Sequence, residues 1–299
     1  MDKEEKHLIH ELVAKYTLEP ELRDIFVEGP SDKNLFDWYL KENKCNDVAI
    51  FDINTVNVPA ALIHHYNLRS DDNSGGNRDR VIVLSLELEK QLKERIKYLR
   101  CIADSDFDCL LGKKYDSYYL LYSTYTCSDL CFCHLVTIKK LFSTFGIYPK
   151  CGIEAVINNI ENVLQRLFVI KAANEALEWE MGWIDYTKCC EIDNELIKFD
   201  IQSFVDRYLS NSSRLKNKMQ FMNKYHELSK ITVIDGKCKI HGHDYFDLMA
   251  WYVYSCIGKK GNHYRDPDVI RAIIFSATQS EFIQDKEPFS SLKTIYAIP

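Results

Sequence analysis

The strongest constraint on the fold lies in the first half of the chain, where short apolar runs alternate with segments of helical spacing. Leu22-Arg23-Asp24-Ile25-Phe26-Val27, Asp47-Val48-Ala49-Ile50-Phe51-Asp52-Ile53, Tyr98-Leu99-Arg100-Cys101-Ile102-Ala103 and Tyr118-Tyr119-Leu120-Leu121-Tyr122 each read as a strand. Residues 7–16 have helical apolar spacing, and Glu28-Gly29-Pro30-Ser31-Asp32 is the turn after the first strand. Ser31 or Asp32 is placed to cap a helix whose apolar positions are Leu35, Phe36, Trp38, Tyr39 and Leu40. The polar stretch Arg69–Arg80, with Gly75-Gly76, reads as a loop, and residues 81–97 as a helix with Leu84, Leu88 and Leu92 on one face. Alternation of this kind predicts an α/β fold, a parallel sheet flanked by helices. In such sheets ligands bind beyond the carboxyl ends of the strands.

The second half changes character. Residues 152–180, 199–209, 215–228, 243–257 and 267–278 all carry helical patterns, so the C-terminal half is expected to be mostly helical. A break at Gly146-Ile147-Tyr148-Pro149 divides the chain into a sheet region over 20–150 and a helical region over 151–299, which need not be independent domains.

With 299 residues the chain can bury a core without covalent staples. No apolar run approaches the ~20 residues of a membrane span. The charged start Met1–Lys6 has no apolar stretch behind it, so neither a secretory signal nor a membrane location is expected. The 11 cysteines, an odd number scattered through apolar segments, fit reduced thiols in the cytoplasm. Cys127, Cys131, Cys133 and His134 lie close together, but they lack the second pair that a zinc site needs and read as buried thiols. The net charge of −6 leaves no global basic footprint, so any nucleic-acid surface has to be local. Lys113-Lys114, the run Arg214–Lys218, Lys237 with Lys239, and Lys259-Lys260 are the candidates, though such pairs and runs are more often plain solvated surface.

The run Asp104-Ser105-Asp106-Phe107-Asp108 follows the third strand directly, and Glu28 follows the first. In an extended segment, residues two apart point to one side, so Asp104, Asp106 and Asp108 are expected to converge. Neighbouring carboxylates repel, and a cation relieves that repulsion. Mg²⁺ or Mn²⁺ fits, because such ions take hard oxygen ligands and often only one or two carboxylates with water and substrate phosphate. A calcium loop of the EF-hand type does not fit, since its sixth and twelfth positions would be Cys109 and Tyr115 instead of Gly and Glu. A plain acidic surface turn is the bland reading, and the placement of both motifs at strand ends argues against it. Phosphate-loop, dinucleotide-binding and nucleophile-elbow motifs are missing from the sequence.

Phe26-Val27-Glu28-Gly29-Pro30-Ser31-Asp32 resembles the first motif of the TOPRIM family, and Ile102-Ala103-Asp104-Ser105-Asp106-Phe107-Asp108 resembles its second. The layout is similar to a branch from bacterial defence islands that includes the OLD-like effector nuclease of the PARIS anti-phage system. Ser123-Thr124-Tyr125-Thr126-Cys127-Ser128-Asp129 stands where that branch has a Thr-x-Tyr and acidic segment, with Asp129 for the more usual Glu. Gly242-His243-Asp244 matches a further motif of the branch, and Asp244 also suits a helix cap. The resemblance implies a Mg²⁺- or Mn²⁺-dependent nuclease in which Asp104 and Asp106 bind metal and Asp108 is a third candidate. Glu28 would bind metal or act as general base. Lys113 and Lys114 are the candidates for substrate binding. The resemblance further implies a toxic effector that cleaves RNA, specifically transfer RNA. It implies an AAA/ABC-type ATPase partner that restrains the nuclease, and a homodimer as the active form. The competing expectation is a non-catalytic regulatory or interaction subunit that docks through aromatics such as those of Trp251-Tyr252-Val253-Tyr254. Topoisomerase or primase activity is disfavoured, because no companion domain and no nucleophilic tyrosine context is visible.

Overall fold

The structure, a computed structural model, describes residues 6–68, 76–257 and 265–297. The chain opens with β1 (His7–Leu8), α1 (Ile9–Leu18), β2 (Asp24–Val27), α2 (Pro30–Glu42), β3 (Ala49–Asp52), β4 (Val56–Asn57) and α3 (Ala60–His65). It continues through α4 (Asn77–Gln91), β5 (Leu99–Ala103), α5 (Asp108–Leu111), β6 (Leu120–Tyr122), α6 (Leu135–Thr144) and α7 (Ile153–Ala176). It closes with β7 (Cys190–Asp193), β8 (Leu196–Phe199), α8 (Ile201–Asn211), α9 (Lys218–Ser229), α10 (Gly242–Ile257), α11 (Pro267–Ala277) and α12 (Phe289–Tyr296). By packing it forms two compact units: residues 1–105, 114–124 and 279–299 in the first, residues 106–113 and 125–278 in the second. The sequence break at 150 is thus not where the packing divides. Residues 125–150 go with the helical unit, and the last helix returns to the sheet.

The first unit is α/β. Its four-stranded sheet has the order β3-β2-β5-β6, and every pair is parallel. β2 and β5 are the central strands and are buried along their whole lengths, which is why they read as continuous apolar runs. Alternate side chains face opposite sides of the sheet. Phe26, Leu99, Cys101 and Ala103 join one core cluster with Ile9, Leu12 and Tyr16 of α1 and Val81, Leu84 and Leu88 of α4. Elsewhere in the unit α12 packs on α2: Phe289 lies 5.5 Å from the Phe36 ring, and Tyr39 Oη donates to Phe289 O at 3.1 Å.

Two local expectations shift. α4 begins at Asn77, so residues 77–80 of the expected loop form its first turn, while 69–75 lie outside the described residues. α2 is capped at Gly29 instead of Ser31 or Asp32. Pro30 takes the first helical position, and the Asp32 carboxylate accepts the Gly29 N–H at 3.1 Å.

The second unit is mainly helical, as expected for this part of the chain, with α7 as its longest helix. It also contains the antiparallel hairpin β7–β8, which the sequence did not announce. Its turn at Asn194-Glu195 uses positive φ at both residues (49° and 69°), the geometry of a primed hairpin turn without the usual glycine. Helix α6 also lies outside the sequence-based assignment. The aromatic docking surface expected at 251–254 is narrowed: Tyr252 and Val253 are buried, with Tyr252 Oη donating to Glu195 O at 2.9 Å, while Trp251 and Tyr254 are half-buried. Lys237 and Lys239 are not a surface basic patch either. Lys237 Nζ donates to Cys133 O at 2.6 Å, and the largely buried Lys239 donates to Ile231 O. The candidate pair Lys259-Lys260 lies outside the described residues. Among the described residues no helix is long and apolar enough to cross a membrane.

Candidate functional site

The site is built at the carboxyl ends of the two central strands of the first unit. The β2–β5 register pairs Asp24 with Leu99 and Phe26 with Cys101, which brings Glu28 level with Ala103. Asp104, the next residue, donates its backbone N–H to Glu28 Oε1 at 2.8 Å. The Glu28 carboxylate is therefore held over the end of β5, beside the residue that carries the second carboxylate. Both residues are half-buried. The neighbouring strand end is tied in as well: Ser105 N–H donates to Ser123 Oγ at 3.1 Å, and Ser105 Oγ donates to Ser123 O at 2.6 Å. The sequence placed Ser123 only within a motif, whereas its buried hydroxyl fixes the exit of β5.

One residue was missed altogether. Arg78, in the first turn of α4, donates from Nε to the Asp104 carbonyl at 2.7 Å. Its guanidinium also lies 5.9 Å from the centroid of the Tyr122 ring, and the exposed Lys114 has its ammonium 5.0 Å from the same centroid. The signal in the sequence was the helical continuity of Asn77–Arg80 with the following leucine pattern, which the flanking glycines obscured.

The remainder of the acidic run does not continue the strand. β5 ends at Ala103, Asp106 takes a positive φ of 39°, and Asp108 opens the short helix α5. Asp106 N–H donates to Thr126 O at 2.9 Å. The alternation argument that made Asp104, Asp106 and Asp108 converge therefore does not hold beyond Ala103. The division between units falls between Ser105 and Asp106, so Glu28, Asp104 and Lys114 belong to the first unit and Asp106, Asp108 and the exposed Lys113 to the second. Among the described residues no group of three or more His, Cys, Asp or Glu side chains is arranged to hold a metal ion. The Glu28–Asp104 pair still suits a hard cation of the Mg²⁺ type, because its donors are all carboxylate oxygens and such ions commonly keep several waters.

The other sequence candidates have structural partners in the second unit. Asp129 is paired with Arg271 at 2.8 Å. Asp244, in the first turn of α10, has a side chain only 5% exposed and meets Lys171 Nζ at 2.7 Å. Burial pushes the Asp244 carboxyl up, and Lys171 only partly offsets this. Gly242 is required by packing, since a Cβ there would collide with Cys127 Sγ. The thiols of the Cys127–His134 segment form no zinc cluster: Cys131 and Cys133 are buried, burial pushes the Cys133 thiol up to about 12, and His134 Nδ1 accepts from Val136 N–H.

No protein-family model matches this sequence, and no curated protein matches it either.

Proposed function

We propose that this protein is a TOPRIM-type nuclease dependent on Mg²⁺ or Mn²⁺. The observation that carries the reading is the Glu28–Asp104 contact, in which the Asp104 N–H holds the Glu28 carboxylate and which puts two acidic residues at the carboxyl ends of adjacent central parallel strands. Glu28 and Asp104 would hold the cation, and the resemblance implies Asp106 and Asp108 as further ligands. When bound, the cation supplies Lewis-acid polarisation of the phosphate and stabilises its developing charge. The Asp104 N–H fixes one oxygen of Glu28, leaving the carboxylate oriented either to bind or to take a proton from an attacking water. Lys113 and Lys114 supply local positive charge for a polyanion in a chain of net charge −6.

By the same resemblance the substrate is RNA, in particular transfer RNA. The protein would then be a toxic effector of anti-phage defence, restrained by an ATPase partner and active as a homodimer. Cleavage of total transfer RNA, messenger RNA and plasmid DNA by the purified protein, with and without divalent metal, tests the reading. Cutting is expected only with Mg²⁺ or Mn²⁺. It should be lost in Glu28→Ala and in Asp104→Ala while circular dichroism stays native, and full activity in both variants would sink the assignment.

A further inference from the structure

We infer that Arg78 and Lys114 form a phosphate-binding edge beside the Glu28–Asp104 pair, built across the ring of Tyr122 and suited to a phosphodiester chain. This rests on the nuclease reading for its role in cleavage, but the binding it describes is measurable without cleavage. Three observations within the first unit carry it. Arg78 Nε is anchored on the Asp104 carbonyl at 2.7 Å, which fixes the guanidinium on the backbone of a candidate metal-binding residue. The guanidinium of Arg78 and the ammonium of Lys114 both lie within 6 Å of the Tyr122 ring centroid, so one aromatic side chain at the end of β6 gathers two cations. Tyr122 is itself fixed, since its Oη accepts the Tyr115 N–H at 3.2 Å.

The chemistry of the two cations differs in a useful way. Arg78 is largely covered, with a side chain 15% exposed and Nη1 3.8 Å from Asp79 Oδ1, and its planar guanidinium is the kind of group that matches phosphate oxygens. Lys114 is exposed and acts as a point charge, and among the described residues no carboxylate lies within ion-pairing distance of it. A single phosphate monoester engages one such cation. Successive phosphates of a strand can engage both, one held in the covered fork and the next at the rim. The substrate class this favours is a single-stranded polynucleotide over a mononucleotide or a phosphomonoester.

The test is the affinity of the full-length protein for a fluorescein-labelled single-stranded RNA of twenty nucleotides, read by anisotropy in EDTA over a range of salt. Arg78→Gln should weaken binding about tenfold, the loss expected for a charge-assisted phosphate contact. Its plot of log affinity against log salt should be shallower by roughly 0.7, the value for one lost phosphate contact on a single strand. Lys114→Gln should lower the slope similarly with a smaller loss of affinity. Arg78→Lys should restore the slope and only part of the affinity, which a purely structural role for Arg78 would not produce. A melting temperature close to wild type for Lys114→Gln keeps the test valid even if Arg78→Gln unfolds. Wild-type affinity and slope in both Gln variants overturn the inference. Failure of the wild type to cut RNA with metal, alongside the expected binding losses, overturns the nuclease reading and leaves the phosphate edge standing.

Discussion

Carboxylates are handled in two opposite ways in this molecule. In the helical unit Asp244 is nearly sealed from water, and its charge is met by Lys171 at 2.7 Å. A charge taken out of water is tolerated only when it is paired, and removing one partner exposes the whole penalty. In the sheet unit Glu28 and Asp104 are half-buried and lie side by side, with a backbone N–H bonded to the Glu28 carboxylate. Neighbouring carboxylates repel, and under the proposed function a cation would relieve that repulsion. The first arrangement is complete within the fold and serves stability. The second is where we propose that a cation binds.

The largest test of this contrast is chemical. Asp104→Ala should reduce metal-dependent cleavage by roughly a thousandfold or more, as expected when an electrostatic partner of a transition state is removed (about 4 kcal/mol). Its urea midpoint should change little by comparison. Lys171→Met should do the reverse, costing about 3–5 kcal/mol in urea unfolding because Asp244 is left buried and uncompensated. Adding Asp244→Leu should recover much of that loss. A Lys171→Met protein of wild-type stability would break the comparison. Next in size is the response to metal: Mn²⁺ at a hundred times its dissociation constant should stabilise the wild type by about 2.7 kcal/mol, seen as a rise in melting temperature, and should not stabilise Asp104→Ala.

The smallest effect is a pH slope. Burial first, then the charges of Lys171 and His243, hold the His241 imidazole down at about 3. The Asp244 carboxylate, 3.9 Å away, faces it from the next turn of the same segment. In the unfolded chain a histidine titrates near 6.5, so between about 6.5 and 3 the unfolded state takes up a proton that the folded state refuses. Stability from His241 is therefore full above about 6.5 and is lost as the pH falls through that window. Asp244 works against this, since its raised carboxyl lets the folded state take a proton first. His241→Asn should flatten the fall of melting temperature between pH 6.5 and 4.5, and an unchanged slope would show that His241 is not kept neutral.

Much of the sheet unit was legible because its central strands are buried on both faces and so appear as unbroken apolar runs. Glu28 and Asp104 were legible for the same reason, as the first polar residues after those runs. Three features were not. The acidic run was read as extended, but strand geometry stops at Ala103, and Asp106 turns through a left-handed conformation that no periodicity reveals. Arg78 was hidden because glycine and polar residues ahead of α4 masked its first turn. Tyr252 looked like surface because an all-round apolar helix cannot be oriented from its own sequence, and only the packing of α10 shows that it is inside.

The return of α12 to the sheet unit has a consequence in time. The faces of Phe36 and Tyr39 are closed by Phe289, and Tyr296 reaches back to the Tyr98 carbonyl at 2.9 Å. Between the last strand of the sheet and this closing helix, residues 125–278 belong to the other unit. At ribosomal rates of ~5–20 residues per second that interval lasts about 8–30 s. During it the sheet unit exists on the ribosome without its final helix, so the amino ends of β2 and β5, where Tyr296 meets the Asp24 and Tyr98 carbonyls, are covered last.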